Sequence, residues 1–156
     1  MNKLSILDYP DDFLRKKCKI LKGLAPSRKI RKMLEIMYES DGIGLAAPQV
    51  GWDARVFIMN ITRDPSLELV FINPTIHQVS DELIVLPEGC LSFPGVSIEI
   101  SRPKKVIVHA YDLNGHEFYF EDDGLGSRCA QHEIDHLDGY LIIDKDGTKQ
   151  YHGGQS

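Results

Sequence analysis

The chain has 156 residues, 42% hydrophobic and 26% charged, proportions that suit one globular domain with a sizeable core. No apolar run approaches the ~20 residues a membrane span needs. The opening MNKLSILDYPDDF carries acids and no apolar signal core, so neither a secretory nor a transit peptide is expected. The net charge of −5 hides an asymmetry: residues 1–35 hold ten Lys/Arg against four Asp/Glu, a local +6 that leaves −11 on the remainder. A solvated helix face accounts for the basic region better than contact with RNA or another polyanion. No interleaved aromatics or nucleic-acid motif support the latter, and no specific DNA partner is expected. Cys18, Cys90 and Cys129 are widely spaced and odd in number, which argues for a reducing compartment, the cytoplasm, rather than a disulfide framework.

Residues 11–18 suit a short helical turn after Pro10. Pro26 and Ser27 open a clearer helix over 27–40, with Ile30, Met33, Leu34, Met37 and Tyr38 at helical spacing; the two methionines read as core filler. Next comes Gly42-Ile43-Gly44-Leu45-Ala46-Ala47-Pro48-Gln49-Val50-Gly51. Its small residues suit a tight irregular loop where backbone comes close to something. It lacks the Gly-Lys-Ser/Thr ending of a phosphate loop. Gln49 is its one polar side chain, suited equally to satisfying loop backbone or to a functional role. From there the period becomes that of strands, over 55–60, 69–72, 82–86, 97–100, 106–111 and 116–121. Turn signals at Asp64-Pro65-Ser66, Asn73-Pro74, Ser80-Asp81, Arg102-Pro103 and Asn114-Gly115 separate them, the last reading as a hairpin. Strands without βαβ alternation, followed by one helix, predict an α+β domain of mostly antiparallel sheet over residues 1–146, with a flexible polar tail over 147–156.

That helix carries His132-Glu133-Ile134-Asp135-His136, an H-E-x-x-H pattern. Histidines four apart are about 40° apart around a helix, since each residue turns ~100°. Both rings can therefore converge on one metal ion at roughly 2.0–2.1 Å. Glu133 is one step round, too far to be a natural third ligand and well placed to touch a water on the metal. Asp122 or Asp123 can cap a helix starting near Gly124. Leu125, Cys129, His132 and His136 then share one face, so the histidines point inward with the apolar residues.

A catalytic site of this kind needs a third protein ligand. Gly139 fits the metzincin extension, but Ile142 stands where its third histidine belongs. No glutamate follows His136, which disfavours a thermolysin-like site. Cys129 shares the helix face but would converge badly on a tetrahedral ion, and reads as a pocket or core thiol. His77, His109 and His116 lie in strand-like runs. Cys90 lies in Pro87-Glu88-Gly89-Cys90-Leu91-Ser92-Phe93-Pro94, a tight run that can aim a thiolate and the following backbone N–H at one point.

Three stretches thus stand in one order: GIGLAAPQVG at 42–51, EGCLS at 88–92 and QHEIDH at 131–136. Together they resemble peptide deformylase, the likeness running from about residue 3 to about residue 145. The resemblance implies that family's fold, antiparallel sheets packed around a central HExxH helix. It implies hydrolysis of the N-formyl group from the initiator formylmethionine of new polypeptides, with release of formate. It assigns Cys90, His132 and His136 to one divalent ion. The donor set alone suggests zinc; the family implies Fe2+, with Zn2+, Ni2+ or Co2+ able to substitute. Glu133 becomes the general base, and the Gln49 side-chain amide and Leu91 backbone N–H become oxyanion donors. Gly44, Glu88 and Gly89 join the substrate-binding set, with Ile43, Leu86, Leu125 and Cys129 lining a methionine pocket or simply packing the core. Arg128 stands where an apolar pocket residue is expected, and Gly95-Val96-Ser97 where some members place a substrate-holding arginine. Many members continue into a further C-terminal helix that docks on the ribosome. The chain reads as a short, phage-like form without it, for which any ribosome contact is expected to be weak. The rivals are another HExxH peptidase, disfavoured by Cys90 and Gln49, and a closed structural metal site, which would not need Glu133.

Overall fold

The structure, a computed structural model, describes residues 4–145 and 149–151. In chain order come α1 (Ser27–Glu39), β1 (Gly44–Ala46), β2 (Val56–Met59), β3 (Leu69–Val79), β4 (Leu83–Cys90), β5 (Phe93–Pro103), β6 (Val106–Tyr111), β7 (Glu117–Asp122), α2 (Leu125–Leu137) and β8 (Lys149–Tyr151). All strand pairs are antiparallel, in a five-stranded sheet of order β1-β2-β3-β6-β7 and a three-stranded sheet of order β4-β5-β8. This is the α+β arrangement expected.

Strand alternation decides what each face of the larger sheet buries. Val56 and Ile58 of β2 join Ile30, Met33, Leu34 and Met37 of α1 in one core cluster. Phe57 and Met59, their alternates, join Phe71, Val108, and Ala130, Ile134 and Leu137 of α2 in a second. The sheet is therefore buried on both faces. A third cluster, with Leu14, Phe93, Ile98, Ile100 and Leu141, lies beneath the smaller sheet. Each fully buried aliphatic side chain contributes ~1.5–3 kcal/mol to this packing.

Asp122 starts α2 as expected, its Oδ2 accepting from the backbone N–H of Gly124 at 3.0 Å and Ser127 at 2.8 Å. The strand expectations need three corrections. Residues 44–50 are a short strand and a 3-10 turn (Ala47–Val50), because Gly44 to Ala46 pair with Phe57 to Met59. Asn73-Pro74 does not end its strand. Asn73 takes a positive φ of 50°, and the ladder resumes after a register shift between Ile72 and Thr75. The tight run around Cys90 belongs to a long hairpin, with Cys90 opposite Phe93 and a register shift between Glu88 and Cys90.

Asp144 is fixed, accepting from Leu141 N–H at 2.8 Å and pairing with Arg15. Lys149–Tyr151, expected to be flexible, pairs with Val96, Ser97 and Ile98, whose strand edge offers unmet hydrogen bonds. The rest of the 147–156 tail lies outside the described residues. None of the described helices is long and apolar enough to cross a membrane.

Candidate active site

α2 lies between the two sheets, with His132 and His136 one turn apart and ring centroids 5.0 Å from each other. The β4–β5 hairpin brings Cys90 to them, its Sγ 3.3 Å from His136 Nε2. The ligand atoms of Cys90, His132 and His136 lie within 4.8 Å of one another, and no other such group of His, Cys, Asp or Glu occurs among the described residues. His77, His109, His116 and Cys129 stand outside it.

Each member is aimed by a neighbour. His132 Nδ1 meets Glu88 Oε1 at 3.0 Å, leaving Nε2 for the centre of the group. Cys90 lies two residues beyond the buried Glu88 on β4, across a register shift. Gln49 is buried, and its Oε1 accepts from Ala46 N–H at 2.9 Å. This turns its Nε2 toward Ser92 Oγ at 3.2 Å and Cys90 Sγ at 3.5 Å. Glu133 Oε1 is sealed from solvent and has no partner among the described residues.

The electrostatics suit a cation. Burial, then the neighbouring His132, hold His136 well below the ordinary histidine value, so it keeps a lone pair to offer. Burial alone would lower His132 too, but Cys90, Glu133 and Glu88 carry it well above that value. Burial pushes the Glu133 carboxyl up to about 7 and the Cys129 thiol well up, so Cys129 stays a neutral wall residue. A half-buried cysteine sulfur, two imidazoles and an unpartnered carboxylate oxygen fit a borderline-soft divalent ion beside a water.

A cavity of about 530 Å³ opens onto these groups, lined among others by Ile43, Gly44, Gln49, Gly89, Leu91, Leu125 and Cys129. Leu86 is not part of that lining. It is 46% exposed and lines a neighbouring groove of about 200 Å³ with Ile84, Pro103 and Arg128. It shares the strand face of Glu88 but lies two residues back along β4, beyond Arg128 and Leu125, which line both the cavity and the groove. Glu88 also differs from its expected substrate contact. Its carboxylate accepts from His132, from both Arg102 Nε and NH2, and from Arg128 NH1 at 2.6 Å. Both oxygens are engaged behind His132, so only the edge of this residue reaches the cavity. Arg102 in turn donates to Asp135 Oδ2 at 2.9 Å.

Gly44 is where backbone must come close. A Cβ there would lie 2.6 Å from Cys129 Sγ and 2.8 Å from Glu133 Oε2. Gly44→Ala is expected to cost ~1–3 kcal/mol of stability and to displace Glu133, lowering both the melting temperature and activity. A variant that melts and turns over like the parent would contradict this packing.

A profile of the polypeptide deformylase family matches residues 3–150. The chain belongs to the peptide deformylase family. Peptide deformylase 1B of Arabidopsis thaliana, chloroplastic/mitochondrial, is 41% identical over 146 residues, covering 91% of this chain and 54% of the plant protein. The chain thus spans about half the length of this relative. A crystal structure of a peptide deformylase from Synechococcus elongatus in complex with actinonin is 40% identical with a TM-score of 0.87, covering 91% of this chain and 79% of that one. A probable peptide deformylase from Synechococcus phage S-SSM7 is 37% identical with a TM-score of 0.86, covering 92% of this chain and 100% of that one. Peptide deformylases are metallohydrolases, and the Cys90, His132 and His136 group is what this chain offers for the metal.

Arg102, Arg128 and Ser92 are members of this cluster to which the motifs assign no role. Arg102 had a legible signal, since Ile98, Ile100 and Arg102 are alternate, buried positions of one strand. A charge at an inward position needs a partner. Ser92, buried beside Gln49, has no such signal.

Proposed function

We propose that residues 1–146 form a single catalytic domain that removes the N-formyl group from formylmethionyl polypeptides. The observation that carries this reading is the convergence of Cys90, His132 and His136 beside the unpartnered Glu133 carboxylate, in a family of deformylases. In this reading those three residues hold one divalent ion, ferrous iron by family likeness. When bound, the ion supplies a water whose pKa is drawn toward neutrality and polarises the formyl oxygen.

The chain's own residues do the rest. Glu133 takes the proton of the attacking water and returns it to the leaving amine, so the formyl C–N bond breaks with formate and a free amine as products. Burial raises the ordinary affinity of this carboxyl for a proton, while a neighbouring cation favours its ionised form. Gln49 Nε2, held by its Ala46 contact, and the Leu91 backbone N–H donate to the oxyanion that develops on the formyl oxygen. Gly44 and Gly89 offer backbone to the peptide, and Ile43, Leu125 and Cys129 wall the methionine side chain. The free cysteines Cys18, Cys90 and Cys129 suit a reducing compartment, the cytoplasm.

Metal removal tests the reading. Dialysis against a chelator is expected to abolish formate release from a short formyl-Met peptide. Anaerobic addition of Fe2+, and of Ni2+, Co2+ or Zn2+ to differing degrees, is expected to restore it. Full activity in protein shown to be metal-free would contradict the assignment of the three ligands.

A further inference from the structure

Arg128 is the only lysine or arginine lining the cavity among the described residues, and it sits with Leu125 and Cys129 where a methionine side chain would dock. It is 9% exposed, and three acceptors fix it. NH1 donates to Glu88 Oε2 at 2.6 Å and to Ile100 O at 3.1 Å, and NH2 donates to Ile84 O at 2.7 Å. A guanidinium has five N–H donors in a rigid fork. Those three bonds leave the Nε–H and one NH2 hydrogen without an acceptor among the described residues. Arg128 and Leu125 together divide the cavity from the neighbouring groove. The apolar pocket thus has one wall with a pinned, charged donor.

A thioether sulfur is only a weak acceptor. A sulfoxide oxygen is a strong one, and an apolar pocket rejects it because nothing replaces its hydrogen bonds to water. We propose that Arg128 is a specificity-determining residue that lets this pocket accept methionine sulfoxide, its oxygen taking a hydrogen bond from the guanidinium. The inference rests on the deformylase reading and names a second substrate class for the same site, formyl-methionine-sulfoxide chains. The sulfoxide enters and leaves unchanged; the only bond broken is the formyl C–N bond. Because the sulfoxide is chiral at sulfur and the guanidinium is fixed, the two epimers are accepted unequally.

The test compares kcat/KM for formyl-Met(O)-Ala-Ser and formyl-Met-Ala-Ser in the unmodified protein and in Arg128→Met, with metal content measured in both. The unmodified protein is expected to turn over the sulfoxide within about tenfold of methionine, and Arg128→Met to lower that ratio by ~10–100-fold, the size of a lost charge-assisted hydrogen bond. An unchanged ratio in Arg128→Met, or rejection of the sulfoxide by more than ~100-fold in the unmodified protein, overturns the proposal. Should the variant not fold, the separated epimers decide on the unmodified protein: unequal kcat/KM supports the proposal and equal values overturn it. Absence of formate from the unoxidised peptide would sink the deformylase reading itself, whereas formate with an unchanged ratio sinks only the role of Arg128.

Discussion

Glu133→Ala is expected to lower kcat for formate release by ~10²–10⁴-fold while the protein keeps its metal. Glu133 lies next to His132 on α2, yet its side chain is not one of the three converging ligands. Its Oε1 is buried without a protein partner, an arrangement that costs stability unless a water or substrate supplies the missing contact. The expected signature is therefore separable: metal content unchanged, turnover nearly lost. Glu133→Gln keeps the shape and removes the base, and is expected to fall as far. Turnover within tenfold of the parent in either metal-loaded variant would show that the proton goes elsewhere.

Glu88→Leu is expected to be the most damaging change to the scaffold behind the site. The Glu88 carboxylate faces two guanidinium groups and His132, all buried. Removing it strands Arg102 and Arg128 in a poorly solvated place. Breaking a buried pair in this way costs ~3–5 kcal/mol, or roughly 6–20 °C in melting temperature for a domain of this size. His132 also loses the acceptor that orients its ring, so metal affinity is expected to drop ~10–100-fold. Differential scanning calorimetry and metal titration read the two effects separately. A variant that melts within a degree or two of the parent would contradict the network.

The same carboxylate sets an acid limit. Burial alone would raise its pKa, but hydrogen bonds from His132 and Arg102 outweigh burial and hold it well below the usual carboxylate range. A carboxyl depressed in the folded state adds stability that is full above its unfolded pKa of ~4.3 and is lost as pH falls through the folded value. The stability gap between the parent and Glu88→Gln is therefore expected to be constant above about pH 5 and to narrow below about pH 4. A gap that widens on acidification would reverse the assigned charge state.

The legible parts of the fold were those governed by short-range periodicity. The spacing of Leu125, Cys129, His132 and His136 gave a helix that the structure places at Leu125–Leu137, with Cys129, His132 and His136 buried as expected and Leu125 exposed at its first turn. The alternation over 106–111 gave β6 at its observed bounds. Gly42 to Gly51 read as a loop because β1 is three residues long and owes its existence to β2, a partner that local sequence does not name. Asn73-Pro74 read as a turn because both residues favour one, whereas pairing with β6 on either side carries the strand through.

The site divides the same way. His132 and His136 declare themselves through helical spacing, and Cys90 through its turn and family likeness. The work of Glu88 was hidden, because its partners Arg102 and Arg128 are 14 and 40 residues away along the chain. Only the folded register brings two positive charges onto one carboxylate. Leu86 shows the converse, an apolar residue near the motif that lies in the neighbouring groove, with Arg128 and Leu125 between it and the cavity.

The most direct measurement is product analysis from one short peptide offered with and without its formyl group, using metal-replete protein purified without oxygen. The expected result is formate from the formylated peptide, an intact peptide chain carrying a new free amine, and no change in the unformylated peptide. Cleavage of a peptide bond, or no formate from protein with its metal bound, would contradict the account.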